Sequence, residues 1–263
     1  MEAPAVAQSA EVLLQARSVT KHFGGVAALQ GVDLEIRRGE ILGVIGPNGA
    51  GKTTFVNCIS GMDKPTSGTI LFKGVDITHM PGYAIGRLGL ARTFQVVKPL
   101  RQLKVIDNIA VGAMFGAGGS KRNTSQARAR AEQVLEQVGL KHRSTHLAAD
   151  LTLPDLKRLE LAKALAMDPE LLFLDEVMAG LNPTEVERAM QMLQTINSSG
   201  ITLFVIEHVM KAIMGISDRI VVLHFGKKIA EGDPSKVIEN PQVIEAYLGE
   251  RFAKRARGER QKR

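Results

Sequence analysis

The chain has 263 residues, 44% hydrophobic and 23% charged, with one cysteine, no tryptophan and a formal net charge of +7. That describes a globular chain able to bury a substantial core; no apolar run approaches the roughly 20 residues of a membrane span, and the longest candidate, 109–119, is short and rich in Gly and Ala. Seven basic residues and one acid fall in 251–263, leaving 27 Lys and Arg against 26 Asp and Glu elsewhere, so a basic nucleic-acid face on the folded body is not supported.

Taken in order, residues 1–10 carry an early Glu and no basic region before an apolar block, which argues against a secretory signal and for a flexible N-terminus in the cytoplasm. Residues 11–46 alternate apolar and polar positions between turns, as short strands do. ILGVIG at 41–46 is a nearly unbroken apolar run, the pattern of a strand buried on both faces. A glycine-rich turn follows, then a helix from Lys52 to about Ser60 in which Cys58 reads as a small buried hydrophobe. TILFKG (69–74) and LARTF (90–94) are strand-like. From about residue 105 to 166 helical patterns dominate, broken by the polar stretch GGSKRNTSQ at 118–126. Strand patterns resume with LLFLDE (171–176), TLFVIEH (202–208) and RIVVLHFG (219–226), and a helix is expected over 183–196. Strands alternating with helices predict an α/β fold with a largely parallel sheet covered on both faces. The terminal basic stretch, 251–263, reads as solvated and disordered, with anionic lipid headgroups or RNA as things so charged a segment could touch.

Four strand ends carry the chemistry. GPNGAGKTT at 46–54 fits G-x-x-x-x-G-K-[ST] directly after a strand. Its glycines let the backbone wrap round phosphate oxygens, with Lys52 against the β- and γ-phosphates and the Thr53 hydroxyl in a magnesium shell. LLFLDE ends in two carboxylates: Asp175 is placed to hold magnesium, and Glu176 to orient or deprotonate an attacking water. His208 ends the next buried strand, and Gln95 ends LARTFQ. An ordinary glycine turn, an acidic surface pair and a structural histidine are the plain alternatives, and the phosphate loop upstream favours the functional reading.

In order and type these residues closely resemble the ATP-binding subunits of ATP-binding cassette transporters, over residues 11–249. The resemblance implies a P-loop NTPase (RecA-like) core at about 11–95 and 167–249, with an N-terminal antiparallel β subdomain, an inserted helical subdomain at about 96–166 and a basic tail at 250–263. It implies ATP and Mg2+ as cofactors. Nucleotide contacts would come from Gly46, Pro47, Asn48, Gly49, Ala50, Gly51, Lys52, Thr53 and Thr54, and magnesium contacts from Thr53, Gln95 and Asp175. Glu176 would be the catalytic glutamate, His208 a switch histidine and Gln95 a switch glutamine. Phe23 would stack on adenine, against the alternative of a core phenylalanine. ARTFQ, LDEVMAGLNP and the late GKKIAEGDP…VIEAYLG look most like the branch that takes up branched-chain amino acids and related amides. That implies permease subunits, a second ATPase chain, an indirect link to a solute-binding protein, and a peripheral place on the inner face of the cell membrane. A lipid or lipopolysaccharide exporter, an RNA-directed soluble cassette and a regulator that scarcely hydrolyses ATP are the rivals.

One segment departs from the family. LTLPD at 151–155 aligns with the signature Leu-Ser-Gly-Gly-Gln, which reaches across a dimer to the nucleotide on the other chain. Thr152 keeps a hydroxyl, but Pro154 stands where the resemblance places a glycine N–H, and a proline cannot donate. Asp155 brings negative charge toward a polyanion unless it turns back onto its own helix. A heterodimer with unequal sites is therefore expected, with a homodimer as the alternative. Asn182, in AGLNP, reads as a mark of the branch.

Overall fold

Strand polarity divides the molecule into two sheets. The computed structural model describes residues 11–94, 97–117 and 122–247; Gln95, the 1–10 segment and the basic tail lie outside the described residues. β1 (Val12–Phe23) and β2 (Val26–Arg37) form a hairpin, extended by β4 (Ser67–Phe72) and β5 (Val75–Asp76) in an antiparallel sheet of order β2-β1-β4-β5. These first strands are 12 residues long rather than short, because register shifts interrupt the alternation without ending the pairing.

The second sheet holds β3 (Ile41–Ile45), β6 (Leu90–Arg92), β7 (Leu171–Asp175), β8 (Thr202–Ile206), β9 (Arg219–His224) and β10 (Lys227–Gly232), in the order β10-β9-β3-β8-β7-β6. Every neighbouring pair is parallel except β9 with β10. Period-2 alternation explains the unbroken apolar runs. Leu171 and Phe173 pack with α1 (Lys52–Ile59) and the antiparallel sheet, while Leu172 and Leu174 pack into the opposite layer of helices.

That opposite layer includes α6 (Pro183–Ser198) and α7 (Met210–Ile216), and a helical section of α3 (Val105–Phe115), α4 (Thr124–Gln137) and α5 (Leu153–Leu165). α3 and α5 approach so closely that a Cβ on Gly112 would lie 2.5 Å from the carbonyl oxygen of Lys163. The polar stretch expected to run through 126 ends sooner, because Asn123 and Gln126 form a reciprocal capping box that starts α4. Two short helices, α2 (Gly82–Arg87) and α8 (Pro234–Val237), complete the labelled elements. Among the described residues no helix is long and apolar enough to cross a membrane.

Candidate active site

The carboxyl ends of four adjacent parallel strands meet at one edge. β3 runs into the glycine loop, β8 into Glu207 and His208, β7 into Glu176, and β6 leads toward residue 95. Parallel polarity is what brings residues 46–54, 176 and 208 together from distant parts of the chain.

The loop's shape depends on glycine. Gly46 has φ +154°, and a Cβ there would lie 2.2 Å from Leu223 O; Gly51 has φ +102°, and its Cβ would lie 2.7 Å from Ala28 O. Lys52, 7% exposed, donates through Nζ to Gly46 O at 2.6 Å and Pro47 O at 3.1 Å. Two of its three donors thus brace the loop, leaving one for an anion. Burial lowers its pKa, opposed by the charges of Glu176 and Asp175. Gly51 gives α1 no side-chain cap, so the first amides of the helix are open to a ligand. Ala50 is buried, Asn48, Gly49 and Thr53 are exposed, and Pro47 and Thr54 are intermediate.

Asp175 is 3% exposed, and its amide donates to Thr93 Oγ1 at 3.2 Å. Its Oδ2 lies 3.1 Å from Arg92 Nη2, a partner the sequence did not announce. Arg92 also donates through Nη1 to Asn57 Oδ1 at 2.6 Å. Burial raises the Asp175 pKa and lowers that of Arg92, outweighing their mutual attraction. The Thr53 hydroxyl and the Asp175 carboxylate are hard oxygen donors, the kind magnesium takes beside water and phosphate, so these residues fit a magnesium nucleotide.

Glu176 follows β7 with φ +52°, a left-handed conformation uncommon for a residue with a Cβ. Its amide donates to Ile206 O at 2.9 Å, and its Oε1 lies 2.6 Å from Nε2 of the exposed His208. The two expected groups therefore touch. Behind them sits Glu207, 1% exposed, whose Oε1 accepts the Met178 amide at 2.7 Å while Oε2 is buried without a hydrogen-bond partner. Burial pushes its pKa up to about 7. An acid between a five-residue apolar strand and His208 was a signal the sequence offered. Tyr247 is a second group sequence reasoning passed over: burial raises its phenol to about 12, opposed by a hydrogen bond with the Gly46 backbone.

Phe23 ends β1, 48% exposed, with the Lys21 ammonium 4.8 Å from its ring centroid, so it is not a core residue. Cys58 is buried, and burial raises its thiol to about 11. At the other end of the helical section, Thr152 caps α5 by accepting the Asp155 amide at 3.4 Å, with Pro154 in the first turn. Asp155 neither faces solvent freely nor folds onto the cap alone. Arg158 Nη1 and Arg143 Nε lie 3.6 and 3.7 Å from its carboxylate. Leu153 is 49% exposed. Asn182 caps α6 in a capping box with Glu185, which gives the departure at AGLNP a local structural role.

Comparisons with known proteins agree with this arrangement. A family model described as ABC transporter matches residues 29–179, and one described as branched-chain amino acid ATP-binding cassette transporter matches residues 227–253. The high-affinity branched-chain amino acid transport ATP-binding protein LivG of Escherichia coli K12 is 41% identical, over 90% of this chain and 98% of its own length. BraF of Pseudomonas aeruginosa, described in the same words, is 37% identical over the same shares. Among solved structures, a nucleotide-free ATP-binding cassette from an ABC transporter superposes with a TM-score of 0.82 at 29% identity, covering 91% of this chain and all of that one. The ADP conformation of an ATP-binding cassette of an ABC transporter gives 0.81 at 30% identity, covering 91% and 99%.

Proposed function

Because the chain belongs to the ABC transporter family, we propose that it is the subunit that binds and hydrolyses ATP to drive uptake of branched-chain amino acids or related hydrophobic amides. The observation that carries the chemistry is the meeting of Lys52, Asp175, Glu176 and His208 at the ends of β3, β7 and β8. The solute class rests on the relatives' names and on the match at 227–253.

In this reading residues 11–249 are one ATPase domain, with 96–166 as its helical subdomain. The amides of residues 46–54 and the remaining Lys52 donor bind the β- and γ-phosphates. Phe23 stacks on adenine. Thr53, Asp175 and Gln95 hold magnesium, which when bound supplies positive charge against the phosphate oxygens. Glu176 takes the proton of the attacking water, and His208 fixes the carboxylate's orientation through their 2.6 Å contact. The chain works on the inner face of the membrane, beneath permease subunits and paired with another ATPase chain.

The pair is a heterodimer with unequal sites. Pro154 presents no N–H to the other chain's nucleotide, and Asp155 is occupied by Arg143 and Arg158. Thr152 accepts the Asp155 amide of its own helix through its hydroxyl oxygen and keeps its O–H as the segment's side-chain donor. This chain's phosphate loop, completed by an ordinary signature from its partner, turns over ATP; the site completed by LTLPD binds ATP and turns over slowly.

The test is the ATPase rate per chain against concentration for the purified protein, with Lys52→Ala as the blank. A rate at the blank's level, in protein that binds ATP, is the expected result. A rate that climbs with concentration would show that LTLPD supports hydrolysis in a homodimer and would overturn the unequal pair.

A further inference from the structure

Glu176 holds a backbone conformation that a non-glycine residue keeps only when its surroundings over-determine it. Two side chains from different layers do so. From the sheet side, Glu207 accepts the Met178 amide at 2.7 Å, next to the 2.9 Å bond from the Glu176 amide to Ile206 O. From the helical side, Lys157, on the second turn of α5, extends its ammonium into the same loop. It donates to Glu176 O at 3.1 Å and to Ala179 O. The loop 176–179 is thus gripped from opposite sides, and Lys157 is the side chain that ties it to α5 through two carbonyls.

The surroundings show why this tie carries weight. Pro154, Lys157 and Leu161 of α5 face Val177, Leu181 and Met192 across an apolar groove of about 280 Å3. Packing there leaves the two elements room to separate. Lys157 also borders a narrow cleft with Thr93, Asp175 and Glu176. Burial lowers the Lys157 pKa, outweighing the charges of Glu207 and Glu176, which raise it. A half-buried ammonium with two carbonyl acceptors is a directional link rather than a solvated surface lysine.

α5 begins at Leu153, inside the LTLPD segment and four residues before Lys157. We propose that Lys157 is a positioning residue that couples this helix to Glu176, so that docking of LTLPD on the other chain's nucleotide sets the orientation of the Glu176 carboxylate in this chain's own site. The inference rests on the reading of the chain as an ATPase whose sites are completed across a dimer. It adds a physical route between the two sites that passes through one side chain and two peptide carbonyls. Arginine, also cationic and multidentate, retains the link; methionine, of similar length and without a donor, removes it.

The experiment measures ATP hydrolysis and equilibrium ATP binding for the full chain assembled with its partner subunits, as wild type, Lys157→Met and Lys157→Arg. Lys157→Met should lower kcat about tenfold and leave ATP affinity within about twofold, and Lys157→Arg should recover most of the rate. In a Glu176→Gln background, single-turnover hydrolysis should be indifferent to Lys157→Met, because the carboxylate being positioned is gone. An unchanged kcat in Lys157→Met overturns the proposal. So does an equal fractional loss in the Glu176→Gln background, which marks a general structural role. If Lys157→Met does not fold, Lys157→Arg decides: a wild-type rate supports the coupling, and a tenfold loss in folded protein contradicts it. A wild-type assembly that binds ATP without hydrolysing it would instead refute the proposed function, and this inference with it.

Discussion

Two aspartates, one on β7 and one on α5, stand beside guanidiniums, and they are treated differently. Asp175, at the end of β7, is 3% exposed and meets Arg92 at 3.1 Å, with both side chains almost wholly out of water. Asp155, in the first turn of α5, has two arginines at 3.6 and 3.7 Å, both partly exposed. The first pair is a fixed part of the sheet edge, where burial prevails over attraction in both pKa values. The second is a looser neutralisation, in which a carboxylate 9% exposed lies beyond hydrogen-bond distance of two arginines that reach solvent.

That contrast can be broken most severely at Arg92. Arg92→Met leaves Asp175 buried without its guanidinium partner, and breaking a buried pair by removing one partner typically costs about 3–5 kcal/mol. Denaturant unfolding should show a loss of that order, while Arg143→Met, at the loose pair, should shift stability by less than about 1 kcal/mol. Equal losses would erase the distinction between the two pairs.

A second prediction sharpens the sheet edge alone. Glu207 has its pKa raised in the folded protein from the ordinary 4.5 to about 7. Between these values the folded state keeps a proton that the unfolded chain has released, so the group's contribution to stability falls as pH rises through that window and stays low above it. Glu207→Gln removes the titration. Relative to wild type it should gain up to roughly 3 kcal/mol between pH 5 and pH 8, read from denaturant midpoints at the two values. An identical pH slope in both proteins would contradict the assignment.

What the sequence disclosed follows from how locally each feature is encoded. β3, β7 and β8 were legible because strands buried on both faces read as short apolar runs, and the glycine loop because its conformation demands glycine at 46 and 51. Asp175, Glu176 and His208 were legible because they end such runs. Arg92 and Lys157 were not, since each acquires meaning only through a contact with a residue distant in sequence: Asp175, and the Glu176 and Ala179 carbonyls. α2 was missed because two glycines in six residues and the absence of a side-chain cap leave no helical signature. α4 began earlier than expected because a capping box of Asn and Gln looks like loop composition until its reciprocal bonds are seen.

On the proposed function, this chain completes its partner's site poorly while keeping its own catalytic groups intact. The direct measurement is the ATPase rate of the assembled transporter carrying Leu153→Gly and Pro154→Gly together. Restoring an N–H to a charged phosphate should return about 1.5–3 kcal/mol at the slow site, raising turnover there by about tenfold or more. An unchanged rate would mean that LTLPD is no handicap, and the unequal pair would be contradicted.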